Sequence, residues 1–535
     1  MVGFHIVTST PIAATLGEVI HRAAARWPRR TLLLFGRLRL SYGAADRRVT
    51  TLAARLRALG ARPGDRIAIH MENRPEYLLA YFGIPASGAV AVPLNSFLSP
   101  PELHAILSDC GARALICSAA SLEKLAPALD SLPDLRDLLV VDDAAPGGLP
   151  AGLRCERLTL DSDAAPADDP APPAQVDSSA PAVLIYTSGT TGKPKGVALS
   201  HQNLIANAEA CIEAVGVSQR DRILVFLPMF HSFTEMVGML TPVMAGMSIA
   251  LCGKLDRAEV KRTIMRHRPT ILPAVPSVYR AMAQARISPL ARWLNPVRLY
   301  ICGGSPLPLS TLRDFERTWR RPLCEGYGLS EAGPVVSLNP PQGPRKPGSV
   351  GRPLPGVAVS VAPVPGGALQ QNDEPGELLV RSPAVMSGYW NLAEESRRTV
   401  RDGWLHTGDM ARVDADGYIF IVGRSKEMLI YRGMNIYPRE IEEVLAAVAG
   451  VKEAAVIGVP DASRGEVPCA FVELDAGARL SEGDLRHACQ KALARYKVPR
   501  VIRVLEALPR NAAGKVLKTQ LQTAAAQLSG SMLVG

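Results

Sequence analysis

Cysteine is sparse and unpaired in this chain. Nine cysteines are scattered over 535 residues, none in a C-x-x-C pair, and Cys110 and Cys117 are the closest two. That pattern argues against a disulfide framework or a zinc site and makes a reducing cytoplasm the expected compartment. The first thirty residues hold no apolar core followed by a small-residue cleavage site, so no secretory signal is expected. Long apolar runs are also missing. Residues 236–253 carry no charge for eighteen residues, the lower limit for a membrane span. They include three Gly, a Pro, a Thr and a Ser, and Glu235 and Lys254 bound them. A buried helix–turn–strand is the expected structure. There is no internal repeat and no G-x-S-x-G nucleophile elbow.

What is present is ordinary globular composition. Apolar residues make up 47% and charged residues 21%, which excludes wholesale disorder, collagen and coiled coil. The length suits roughly three to five compact units. The net charge is +10, which favours anionic partners such as nucleotides or acidic lipid surfaces and says nothing about fold. No nucleic-acid motif accompanies the charge, so no nucleic-acid partner is expected.

Helical and strand-like stretches alternate through the first 140 residues. Apolar spacing predicts helices over 44–59 and 76–87 and strands over 66–70 and 88–93. This alternation implies a mainly parallel sheet covered by helices. Residues 142–181 are rich in Ala, Pro and Asp and read as a linker-like stretch. From about 347 to 422, short alternating strands between Gly/Pro turns suggest a small β-barrel or sheet subdomain. After 423, helix and strand units over 440–448, 453–459, 470–474, 482–493 and 501–504 suggest a separate α+β domain. The expected architecture is α/β: an N-terminal domain over 1–423, with layered α/β subdomains and the β-rich part, then a smaller C-terminal domain over 424–535.

The densest chemistry lies in TSGTTGKPKG, residues 187–196, after the buried strand-like AVLIY. Thr187, Ser188, Thr190 and Thr191 offer hydroxyls, Gly189 and Gly192 let backbone N–H groups approach an anion, and Lys193 and Lys195 supply charge. The loop is suited to phosphates. It is not a P-loop, because Thr187 stands where the first Gly belongs and Pro194 follows Lys193.

With Tyr186 in front, this string resembles the signature of the adenylate-forming superfamily, which includes the acyl-CoA synthetases. Further strings follow in order. EGYGLSE, 325–331, resembles the motif in which Tyr327 and Gly328 lie beside adenine and the substrate carboxylate, Ser330 meets phosphate and Glu331 holds Mg2+. A carboxylate suits that hard cation. Gly303, Gly304 and Ser305 resemble the adenine-cradling loop, with Ser305 where the family often has Ala. WLHTGD, 404–409, resembles the motif whose Asp, here Asp409, takes both ribose hydroxyls, a sound match for a carboxylate. Arg424 resembles the arginine that contacts ribose and phosphate, and Lys426 stands at the interdomain hinge position. LPRNAAGK, 508–515, resembles the catalytic-lysine motif, which makes Lys515 catalytic. YRGMNIYPRE, 431–440, resembles the segment that presents a pantetheine tunnel, with Gly433 lining it.

The resemblance implies an ATP- and Mg2+-dependent ligase with a mobile C-terminal domain. An acid attacks the α-phosphate of ATP, pyrophosphate leaves, and CoA takes the acyl group. No Ser–His–Asp triad is needed, because the carboxylate is itself the nucleophile. Positioning and cations carry the catalysis. LPMFHS, 227–232, resembles the acyl-pocket motif. Phe230 and His231 stand where amino-acid-activating relatives carry an Asp, and Val237 and Gly238 are expected to line the pocket, with glycine making room. His231 is counted with the catalytic set. A medium- or long-chain fatty acid is the expected substrate, with an aryl acid second. An acyl carrier protein is the alternative acceptor, a nucleotide-binding pseudoenzyme the non-enzyme alternative, and a peripheral contact with the inner face of the membrane is compatible with the charge.

Overall fold

A computed structural model describes residues 14–142, 152–159, 173–188, 194–254, 256–363, 375–431, 434–461, 465–510 and 516–532. Short apolar runs form its inner strands. Ser248–Leu251, Ile271–Ala274 and Leu299–Cys302 are buried along their whole length, as parallel strands covered on both faces must be. With Arg222–Val225 they form the parallel centre of a nine-stranded sheet. Leu323–Gly328 extends it in parallel and then pairs antiparallel with Val335–Leu338. Thr31–Phe35 joins on the other side, parallel to Ser248–Leu251.

An eight-stranded sheet is built in the same way. Its centre is Val90–Pro93, Arg66–His70, Ala112–Cys117 and Asp137–Val140, all parallel. Pro181–Ser188 joins in parallel beside Val90–Pro93 and folds back as the antiparallel strand Pro194–Ser200. The expected helices appear as Tyr42–Ala58 and Pro75–Ala86. The second is buried at every residue but one, Glu76. It lies between layers, which explains why it carries almost no polar face.

Residues 236–253 form the expected helix–turn–strand. A π-helix, Thr234–Leu240, runs into a short α-helix, Thr241–Met244, and then into Ser248–Leu251. Among the described residues no helix is long and apolar enough to cross a membrane. Glu235 differs from expectation. It does not mark a polar boundary but lies buried in the π-helix, 1% exposed.

The β-rich region is a five-stranded antiparallel sheet in which Trp404–Val413 pairs with Gly376–Arg381 on one side and with Ile419–Arg424 on the other. The last sheet uses only residues after 428. Its long hairpin, Val451–Asp461 with Gly465–Leu474, is flanked by Leu429–Tyr431 and Val501–Leu505 and covered by the helices Pro438–Ala446 and Glu482–Ala492. A large α/β part with a smaller α+β part is therefore the observed class. Most of the stretch 142–181 lies outside the described residues; Arg154–Arg157 within it forms an edge strand.

Candidate active site

Three strands bring the first group of side chains together. Tyr327 is carried by Leu323–Gly328, Asp409 by Trp404–Val413 and Arg424 by Ile419–Arg424. Asp409 and Arg424 are register partners on antiparallel neighbours. The Tyr327 hydroxyl donates to Asp409 Oδ2 at 2.5 Å, and Arg424 Nε pairs with Asp409 Oδ1 at 2.9 Å. Asp409 is buried, and a buried carboxylate needs partners of this kind. Burial, and then the Asp409 charge, push the Tyr327 pKa well above its usual value, so the phenol stays a donor. Desolvation works against the Arg424 charge, but Asp409, Tyr327, Glu427 and Glu331 outweigh it and raise its pKa.

Glu331 stands on the single turn Ser330–Ala332 just beyond the same strand. The Tyr389 hydroxyl donates to its Oε1 at 2.9 Å, and the Met386 N–H donates to its backbone carbonyl at 2.9 Å. Tyr389 is placed by pairing of Gly388–Tyr389 with Pro194–Ser200. Lys195, on that second strand, lies 5.2 Å from the centre of the Tyr389 ring and pairs with Glu395 at 2.5 Å. Lys195 and Thr187 are opposite each other in the hairpin that carries the Thr/Gly loop. Ser188 ends its first strand. Gly189, Thr190, Thr191, Gly192 and Lys193 lie outside the described residues.

Gly328 is required by close approach. A Cβ there would lie 1.9 Å from the Pro334 carbonyl oxygen. The glycine lets the chain turn back at once, which puts Glu331 beside Tyr389 only four residues after Tyr327.

Among the described residues no three His, Cys, Asp or Glu side chains share a common metal position. Mg2+ bound with a nucleotide needs less, one or two carboxylates plus phosphate oxygens. Glu331 fits that role, since Tyr389 engages only one of its oxygens.

The third group lies at the carboxyl end of Arg222–Val225. Asn73 fixes the chain there. Its Nδ2 donates to the Leu227 carbonyl at 2.9 Å and to that of Cys252 at 3.3 Å, while its Oδ1 accepts from the Met229 N–H at 2.9 Å. Phe230 packs edge-on against Phe97 and beside His231. His231 is solvent-accessible but recessed, and desolvation lowers its pKa, which favours the neutral ring at pH 7. Ser232 and Ser330 meet through their hydroxyls at 3.1 Å, joining this loop to the Glu331 turn. Phe233 lies over Gly303, where a Cβ would come within 3.2 Å of its ring. Gly304 and Ser305 are exposed beside it.

A narrow apolar slot with room for about one water molecule lies behind Phe233. Val237, Gly238 and Thr234 line one wall, and residues 224–227 and Pro273 the other. Phe230 and His231 do not line it. Gly238 does not simply make room, because a Cβ there would meet Val225 at 3.0 Å and Thr234 at 3.1 Å. It lets the π-helix pack closely on the strand.

Gly433 and Lys515 lie outside the described residues, but the frame that holds the Lys515 segment is visible. Arg510 and Val516 form an antiparallel bridge at its two ends. Glu473, buried, accepts from the Leu508 N–H and from Arg510 Nη2, both at 3.0 Å, and pairs with Lys452. Burial alone would raise the Glu473 pKa, yet these partners hold it at about 2. Lys426 sits in the exposed turn Ser425–Glu427 directly after Arg424.

Tyr389, Asn73, Glu395 and Glu473 escape sequence reasoning, since each acts through a partner at least 35 residues away. Only the SGYW string around Tyr389, between two turns, offered any local signal.

Residues 20–390 match the family model for AMP-binding enzymes, and residues 440–515 match that for the AMP-binding enzyme C-terminal domain. The chain belongs to this adenylate-forming family. It is 33% identical to a long-chain-fatty-acid–CoA ligase of Bacillus subtilis (strain 168), over 95% of this chain and 94% of that protein. It is 37% identical to a feruloyl-CoA synthase of Amycolatopsis sp, over 95% and 98%. The solved structure of ATP-bound MatB from Rhodopseudomonas palustris superposes with a TM-score of 0.85 at 29% identity, covering 96% of this chain and 99% of that one.

Proposed function

We propose that this protein is an ATP-dependent acid–CoA ligase that activates a medium- or long-chain fatty acid. The observation that carries the reading is the meeting of Tyr327, Asp409 and Arg424 with Glu331 and Tyr389 nearby. Asp409 would accept the ribose hydroxyls, and Arg424 would stay beside it to meet ribose or phosphate oxygen. The hydroxyls and lysines of residues 187–195 would hold the phosphates. Mg2+ on Glu331 would neutralise phosphate charge.

The chemistry then needs no protein nucleophile. An oxygen of the acid forms a bond to the α-phosphorus, and the bond to pyrophosphate breaks. Lys515 is read as the cation that stabilises this transfer. The CoA sulfur next bonds to the acyl carbon, and AMP leaves with the electron pair. Lys426 is read as the hinge between the N-terminal unit and the unit after residue 423, which would bring Gly433 forward for the second step.

The lining behind Phe233 is apolar apart from Thr234, which supports an alkyl acid. The feruloyl-CoA synthase among the relatives makes an aryl acid the second reading. Pyrophosphate release measured over a panel of alkyl and aryl acids, with and without CoA, tests this. CoA-dependent turnover greatest on medium- or long-chain fatty acids is expected. Turnover on aryl acids alone would replace the substrate. Acyl-AMP that CoA does not consume would point to a carrier protein, and no release with any acid would overturn the enzyme reading.

A further inference from the structure

Large apolar side chains cluster in water beside the big sheet. The short helix Pro289–Trp293 and the residue after it expose Leu290 by 62%, Trp293 by 79% and Leu294 by 48%. Single exposed leucines are common, but a fully presented indole between two exposed leucines is not.

The surroundings are basic. Residues 284–300 contain Arg286, Arg292 and Arg298 and no acidic residue. A second basic strand of chain lies against them. Trp319 Nε1 donates to the Met282 carbonyl at 3.0 Å, and the Thr318 hydroxyl to that of Ala283 at 2.9 Å. Asn295 bonds the Tyr300 hydroxyl at 2.6 Å; burial raises the pKa of that phenol, and Arg321 lies close enough to offset part of the rise. Arg320 and Arg321 are both exposed there. Nearby carboxylates are already engaged: Asp221 is buried against Arg298 at 2.7 Å, and Asp314 pairs with Arg317 at 3.0 Å.

Topology places more of the same along this edge. Leu299–Cys302 and Ile271–Ala274 run parallel, so the segments entering them lie at one edge of the sheet. The segment entering the second strand exposes Met265 by 71%, next to Arg266 and Arg268. This is the amino edge of the strands. Gly303, Tyr327 and residues 227–232 lie at the carboxyl edge, so the patch is separate from the candidate active site.

We propose that the Leu290–Trp293–Leu294 knob and the arginines around it dock the protein on an anionic lipid surface. The three exposed apolar groups lie within five residues of one another, close enough to enter a headgroup layer together. An indole sits well at headgroup depth, and Arg286, Arg292, Arg320 and Arg321, which have no carboxylate partner among the described residues, complement anionic lipid. Because the patch is remote from the candidate active site, docking leaves turnover of a soluble acid unchanged.

Sedimentation with vesicles tests this, using phosphatidylcholine alone or with a quarter phosphatidylglycerol, at low and high salt. The full-length protein is expected to bind the anionic vesicles at low salt, with binding weakened by salt screening. Trp293→Ser with Leu294→Ser, and separately Arg320→Glu with Arg321→Glu, should each lower partitioning roughly tenfold or more. All these positions are exposed, and unchanged activity on a soluble acid shows that the variants are folded. Partitioning of the variants equal to wild type overturns the proposal, as does wild-type protein that ignores anionic vesicles. Self-association lost in the variants without vesicle binding also overturns it and assigns the knob to a second copy of this chain.

Discussion

Asp409 accepts from Tyr327 and Arg424 at once while buried, so its carboxylate is held in one orientation by groups on two other strands. Asp409→Ala removes the carboxylate proposed as ribose acceptor and leaves Arg424 without its ion-pair partner. The KM for ATP is expected to rise roughly 10–100-fold, the worth of a charge-assisted hydrogen bond. An unchanged KM for ATP would contradict the role. Gly328→Ala puts a methyl group on the Pro334 carbonyl and should cost about 1–3 kcal/mol, read in chemical denaturation. Glu235 gives a pH signature. It lies in the π-helix near Tyr77 and Tyr81, and its carboxyl oxygens have no hydrogen bond of normal geometry among the described residues. Burial pushes its pKa up to about 8, with Tyr81 pulling the other way. A carboxyl whose pKa is raised in the folded state costs stability as pH climbs above its unfolded value of about 4.3, and the cost is complete above about 8. Glu235→Gln should leave Tm nearly unchanged near pH 5 and raise it near pH 9, roughly where the wild-type side chain has ionised. Equal Tm shifts at both pH values would contradict this.

At the scale of elements, the hairpin Val451–Asp461 with Gly465–Leu474 carries the anchor for the Lys515 segment. Glu473 ties Leu508 and Arg510 to it. With its pKa held at about 2, Glu473 contributes stability that is present above about pH 4.3 and is lost as pH falls toward 2. Glu473→Gln should abolish that acid-side loss and slow adenylation with little change in the KM for ATP. Adenylation at the wild-type rate would separate the anchor from catalysis. The π-helix shows what the sequence could not reveal. The apolar run and its turn were legible from the lack of charge and the Gly and Pro residues. Its π pitch was not, because a seven-residue stretch with apolar residues on nearly every side has no period to read. Glu235 looked like a polar end for the same reason. Strands such as Arg66–His70 were legible because parallel burial leaves a short apolar run. Tyr327, Asp409 and Arg424 were legible as parts of local motifs. Tyr389 and Glu473 were not, because their partners are joined only by the folded chain.

At the scale of the molecule, the C-terminal sheet is fastened to the large α/β part through Arg280. Its Nη2 reaches the two Asp475 carboxylate oxygens at 2.8 and 2.9 Å and the Val451 carbonyl at 3.0 Å. If the unit after residue 423 moves between the two half-reactions, Arg280→Ala should change acyl-AMP formation and thioester formation by different factors. Equal change in both would contradict that movement. The fold class and the order of the motifs were open to sequence reading because both follow from local patterns. The fastening was not, because it joins residues 195 positions apart.

The most direct test of the central claim is ATP–pyrophosphate exchange driven by a medium- or long-chain acid, followed by addition of CoA to the same mixture. Acid-dependent exchange that turns into acyl-CoA and AMP when CoA is added is the predicted result. Exchange with no acid present, or none with any acid while ATP still binds, would contradict it.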